Sequence, residues 1–159
     1  MNYDEFLDKY EDKLEQGILE NGCIGDFFDM VLEMASSTKR EIDSRLRKLY
    51  SHMLKYQFQK TDIQSTSWIK TIREQSRELN AIKENEKNIW NKIDNEVVIN
   101  QYKKALLDAS AETGMTISSF PSICPEEWTL DNISDSGFIE KFLIDNAYSY
   151  QAKKYLYLI

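Results

Sequence analysis

Apolar side chains recur along most of this chain at the spacing of helices rather than strands. Tyr3, Phe6, Leu7, Tyr10 and Leu14 form one such face, with Asp8, Glu11, Asp12 and Glu15 opposite. Gly17, Gly22 and Gly25 then loosen the chain, and the apolar run from Phe27 to Met34 reads as a short buried helix, because nothing near it offers a strand partner. Thr38-Lys39-Arg40-Glu41 matches a capping box, in which the Thr hydroxyl and the Glu carboxylate each satisfy a backbone N–H at a helix start. The helix it predicts is long: Ile42, Leu46, Leu49, Tyr50, Met53 and Leu54 follow one side to about Gln59. After a polar connector, a second long helix starts near Ser65 or Thr66 with Trp68, Ile69, Ile72, Leu79 and Ile82 as its stripe.

The pattern breaks around Asn85 and resumes with Trp90, Ile93, Val97, Tyr102, Leu106 and Ala109. It ends at Thr113-Gly114, where Gly supplies a left-handed helix terminus. Met115 to Cys124 reads as an ordered loop, and Pro125-Glu126-Glu127 as the opening of a short helix, with Pro first and acids at the positive end of the dipole. Asp131 to Gly137 reads as a further break. No segment carries a period of two. The expected fold is all-α, a single-domain bundle of about six helices with two long central ones. Residues 1–137 would form the bundle, and 138–159 a helical extension with an apolar tail. Its predicted core is Leu46, Leu49, Met53, Trp68, Ile72, Trp90 and Ile93.

Composition narrows the class. In 159 residues, 42% hydrophobic and 30% charged side chains are enough to fold around a core, and 5 Gly with 2 Pro argue against a turn-dense β-architecture. No apolar run approaches the roughly 20 residues that span a bilayer. The start, Met1-Asn2-Tyr3-Asp4-Glu5, lacks the basic-then-apolar order of a signal peptide, and Cys23 and Cys124 stand too far apart for a disulfide scaffold. A cytoplasmic protein with no membrane contact is expected.

Charge is unevenly spread. Residues 1–38 hold 2 Lys and 10 acids, residues 39–77 hold 10 Lys or Arg and 4 acids, and residues 78–159 hold 8 Lys and 13 acids. The overall charge is −7. The central segment is therefore a basic belt, including Arg45, Arg47, Lys48, Lys70 and Arg77. It has two readings: a phosphate-tracking face, or internal pairing of Arg45, Lys55 and Arg73 with Asp26, Asp29 or Glu41. Pairing is the expected outcome, since few fixed positive charges share one helical side. His52 is the sole histidine and lies on one helical side with Lys48, Lys55, Tyr56 and Gln59. No ligand-spaced Cys, His or acid set accompanies it, so neither metal nor cofactor is expected. Gly22-Cys23-Ile24-Gly25 lacks the spacing of a phosphate loop.

Lys39-Arg40-Glu41, Ser44-Arg45-Leu46, His52-Met53-Leu54-Lys55-Tyr56-Gln57, Ser67-Trp68 and Thr71-Ile72-Arg73-Glu74-Gln75 follow one another in an order that resembles domain-of-unknown-function family 29. Glu112-Thr113-Gly114, Phe120-Pro121 and Cys124-Pro125 resemble its closing motif. The resemblance covers roughly residues 3–136, implies a helical fold, and brings no activity with it. Tyr56 stands where the family usually has Trp. Cys23, Gly25, Met30 and Leu32 fall where it often has acids, and the segment from Phe138 onward is extra to its pattern.

Three functional classes remain. The leading one is a non-enzymatic interaction module, antitoxin-like or related to phage and mobile-element inhibitors. It would bind a protein partner or a second copy through its charged faces or the tail Tyr155, Leu156, Tyr157, Leu158 and Ile159. The second is an RNA binder using residues 39–77. The third is an enzyme using His52 with Lys55 and Glu74. The best place for a ligand or partner is the group His52, Lys55, Tyr56, Trp68 and Arg73.

Overall fold

The computed structural model describes Asp4, Glu5, Asp8 and residues 21–158, with the side chains of 21–28, 62–63, 150–152 and 155 left aside. Of the expected helix over Tyr3 to Leu14 only Asp4, Glu5 and Asp8 are described, and they are helical; its other residues lie outside the described ones, as do Ile159 and the side chains of Cys23, Asp26, Phe27, Phe28 and Tyr155. Among the described residues the chain is helical and forms no strand. The helices are α1 (Asn21–Phe58), α2 (Asp62–Asn85), α3 (Lys87–Asn91), α4 (Asn95–Thr113), α5 (Leu130–Ile133), α6 (Ser136–Asp145) and α7 (Tyr150–Leu158), with one 3₁₀ turn at Ile117–Ser119.

α1 is one helix of 38 residues, about 57 Å long at 1.5 Å per residue, where two were expected. Thr38 does not cap it; it lies mid-helix and is buried. The reason is phase. Val31, Ala35, Thr38, Ile42, Leu46, Leu49 and Met53 are spaced by three or four throughout, so one face crosses Ser36-Ser37-Thr38 without slipping. Helix continuity outweighs the weak propensity of three hydroxyl residues. The expected burial of the Phe27 to Met34 run fails where it is described: Met30 and Leu32 are 47% and 63% exposed.

α1, α2 and α4 make the core. Arg45 of α1 reaches Gln75 and Glu78, while Lys55 lies over Trp68, so α2 returns antiparallel. Arg47 meets Asp108 and Lys55 meets Glu112, so α4 runs parallel to α1. Leu46, Leu49, Met53, Trp68, Ile72 and Trp90 are buried as predicted, whereas Ile93 is half-buried at the edge. The break at Asn85 is real, but the segment after it is two helices: Asp94 accepts from Val97 N at 3.2 Å and restarts the chain as α4. Gly114, at φ 72°, ends α4 in the left-handed conformation.

Residues 114–149 lie across this hairpin and share its core through Phe120, Trp128, Ile133, Ile139, Phe142 and Leu143. Pro125 opens a turn rather than a helix, with Trp128 N donating to Pro125 O at 3.0 Å. α5 starts later because Thr129 accepts from Asn132 N, and α6 because Asp135 accepts from Phe138 N. The expected break at Asp131 to Gly137 is therefore mostly helical. Irregular backbone must find hydrogen-bond partners when buried. Here hydroxyls of the long helices supply several: Tyr50 donates to Trp128 O at 2.7 Å, Ser76 to Ile133 O at 2.6 Å, and Tyr56 to Leu143 O at 2.6 Å. Tyr102 donates to Pro121 O at 2.5 Å. Trp128 stacks on Tyr50 at 5.8 Å and meets Tyr102 and Phe142 edge-on.

Candidate functional site

His52, Lys55 and Tyr56 sit on the last two turns of α1, and Trp68 and Arg73 on the facing turns of α2. Lys55, Tyr56 and Trp68 are buried. The Lys55 ammonium lies 5.7 Å from the Trp68 ring centroid, a cation–π distance, and donates to the Glu112 carboxylate. The lysine side chain is 7% exposed and that of Glu112 54%, so the pair is dry at one end and wet at the other.

His52 Nδ1 is 2.8 Å from Lys48 O. A carbonyl only accepts, so Nδ1 carries the hydrogen and Nε2 holds the lone pair of the neutral ring. Burial lowers the His52 pKa, and the charges of Lys55 and Lys48 add to that; the Lys48 carbonyl and Glu112 pull the other way. The acid acting on His52 is thus Glu112 from α4. Glu74, the acid expected beside it, is exposed on α2.

Tyr56 and Arg73 belong to a different contact. Burial pushes the Tyr56 hydroxyl up to about 12, opposed by the positive charge of Arg73. Arg73 grips Glu140 with Nε at 2.8 Å and Nη2 at 2.9 Å, and Nη2 also donates to Leu156 O at 3.1 Å. The five candidates therefore divide into a lysine–glutamate pair beside an imidazole and an arginine clamp on α6 and α7.

Much of the basic belt is paired, with partners other than those expected. Arg45 does take Glu41, at 3.0 Å, together with Gln75 and Glu78. Arg73 and Lys55 take Glu140 and Glu112 instead of Asp29, which is exposed at the far end of α1. Arg47 holds both oxygens of Asp108 at 2.6 and 2.9 Å. That hydrogen bond raises the Arg47 pKa and holds the Asp108 carboxyl below its usual range. Lys48, Lys70 and Arg77 are exposed and make no ion pair among the described residues. In the tail, Leu156 is buried against the bundle and so is not offered to a partner, while Tyr157 and Leu158 are exposed.

Two clefts were not foreseen. An apolar one of about 370 Å³ lies between the start of α4 and residues 122–129, walled by Val98, Ile99, Tyr102, Ile123, Cys124 and Trp128. Burial pushes the Cys124 thiol up to about 11, so it is not an activated nucleophile at neutral pH. A polar one of about 380 Å³ lies between α2 and the α5–α6 junction. Among the described residues no group of three or more His, Cys, Asp or Glu could hold a metal ion, and no helix is long and apolar enough to cross a membrane.

The family model described as domain of unknown function DUF29 matches residues 2–139. The chain belongs to the DUF29 family. No curated protein and no solved structure matches it. All five candidate residues lie within the DUF29 match, and so does Glu112. Three of their hydrogen-bond partners do not: Glu140, Leu143 O and Leu156 O come from chain beyond residue 139.

Proposed function

We propose that this DUF29 protein is a non-enzymatic helical module whose work is to bind another protein. The carrying observation is the end of α7, where Leu156 is buried and the next two side chains, Tyr157 and Leu158, are 81% and 78% exposed. A short helix docked by one apolar side chain and showing two more to solvent has the form of a contact surface. The use of the cations supports the same reading. Among the cations of residues 39–77, Arg40, Arg45, Arg47, Lys55 and Arg73 each hold a carboxylate of their own chain, which leaves Lys39, Lys48, Lys60, Lys70 and Arg77 for phosphates. Five charges spread over two helices and their connector give little affinity for RNA against a net charge of −7. Within this reading we favour an antitoxin-like or phage-related inhibitor, since such a protein acts by covering a partner's surface and needs no chemistry of its own.

The test compares tagged wild type with a Tyr157→Ser/Leu158→Ser variant, both recovered from host cells at equal abundance and equal helicity. We expect one or a few proteins to accompany the wild type and to be absent from the variant. The same proteins on both, or RNA recovered in a salt-dependent manner, would refute the reading.

A further inference from the structure

The geometry points to the apolar cleft as the contact between two copies of this chain, paired about a two-fold axis. This contact is separate from the docking at Tyr157 and Leu158. Tyr102 and Trp128, both buried, close the floor of the cleft. Two apolar side chains at its mouth are not buried: Ile99 on the α4 wall is 41% exposed, and Ile123 on the facing wall is 80% exposed. A cavity of about 370 Å³ has room for an Ile side chain, yet Ile123 leaves its own unfilled and stands in solvent on the rim. Knob and hole thus belong to one patch. That is what an isologous pair needs, since a two-fold axis sets each copy's knob against the other's hole. An apolar anchor in a dry pocket then supplies most of the binding energy.

The charges of the patch are self-complementary in the same way. Among the described residues, Lys103 and Glu126 are the charged side chains that line the cleft, one on each wall. Both are exposed, and neither makes an ion pair among the described residues. Neighbouring charges line other hollows: Asp94 and Asp131 one at the start of α4, and Glu127 one beside α6. Lys103 also borders a groove with Asp43 and Lys104 without pairing there, and Glu96 lies about 10 Å before it along α4. A two-fold axis along the cleft lays α4 of each copy over residues 122–129 of the other, so Lys103 meets the second copy's Glu126 twice per dimer. An acidic or a basic partner would satisfy one of these charges and oppose the other; a second copy satisfies both. The net charge of −7 repels at long range, but the patch itself is neutral and the screening length at about 0.15 M salt is only about 8 Å. The patch is small, so the expected dissociation constant is on the order of 10 µM.

The test is sedimentation equilibrium of the full chain from about 1 to 200 µM in about 0.15 M salt, with equal helicity of all variants checked by circular dichroism. We expect a monomer–dimer equilibrium that Ile123→Asp abolishes. Lys103→Glu and Glu126→Lys, both at exposed positions, should each weaken self-association about tenfold, because each reversal sets like charges against each other twice across the axis. Mixed in equal amounts, the two variants should pair with each other about as tightly as wild type pairs with itself. That mixed dimer holds one native ion pair and one with its signs exchanged. A chain that stays monomeric at the highest concentration, or a dimer indifferent to Ile123→Asp, overturns the proposal. So does a mixture that associates no better than its two components, since the two-fold register would then be wrong. A dimer lost with Leu158→Ser and kept with Ile123→Asp puts the contact at α7 and overturns it as well.

Discussion

Neutralising one member of the Lys55–Glu112 pair should cost far more than neutralising the other, although either change breaks the same ion pair. Glu112→Gln keeps the shape but leaves an ammonium whose side chain is 7% exposed facing a neutral amide. Breaking a fully buried pair this way costs about 3–5 kcal/mol. Here water reaches the Glu112 end, and the Trp68 ring at 5.7 Å still stabilises the cation, so about 1–2 kcal/mol is expected. Lys55→Met leaves a carboxylate that is 54% exposed and free to hydrate, and it places a thioether of similar length against Trp68. Its cost should stay within about 0.5 kcal/mol, and the double variant should resemble Lys55→Met alone. Urea unfolding followed by circular dichroism, with unchanged slopes, measures all four proteins. A larger loss from Lys55→Met than from Glu112→Gln would refute the reasoning, since it would mean that the attraction within the pair outweighs the penalty of burying the lysine.

Trp68→Ala should cost about 3–5 kcal/mol in the same assay, because the ring is buried and also covers Lys55; a loss below about 1 kcal/mol would place it at the surface. Tyr56→Phe leaves Leu143 O without its hydroxyl donor and should cost about 1–3 kcal/mol, read from the urea midpoint. Burial lowers the His52 pKa from 6.5, so as pH falls below that value the unfolded chain takes up the proton first and stability declines. His52→Gln should flatten the stability profile between about pH 7.5 and 5.5 relative to wild type, and equal slopes would contradict the burial of the imidazole.

The hairpin was legible because its faces repeat at a helical period over many turns: Leu46, Leu49 and Met53 had to meet Trp68 and Ile72 in some register. The continuity of α1 was legible too, in the phase from Val31 to Met53, but a strong capping-box match at Thr38 concealed it. Residues 114–149 were not. Their turns are closed by hydroxyls of Tyr50, Tyr56 and Ser76, which the local pattern presents as core or helix surface with no sign of a distant carbonyl. The cation partners were hidden for the same reason: Glu112, Asp108 and Glu140 become neighbours of Lys55, Arg47 and Arg73 when α4 and α6 dock. Tyr56 shows the limit well. It departs from the Trp usual in the family, and its hydroxyl meets Leu143 O, in chain beyond the DUF29 match.

A photo-crosslinking amino acid at position 157, activated in host cells, reads the occupant of the exposed end of α7 most directly. We expect a discrete protein adduct, insensitive to nuclease and abolished when Leu158→Ser is added. A nuclease-sensitive adduct, or irradiated chains with no adduct at all, would contradict a module that works by binding protein at this surface.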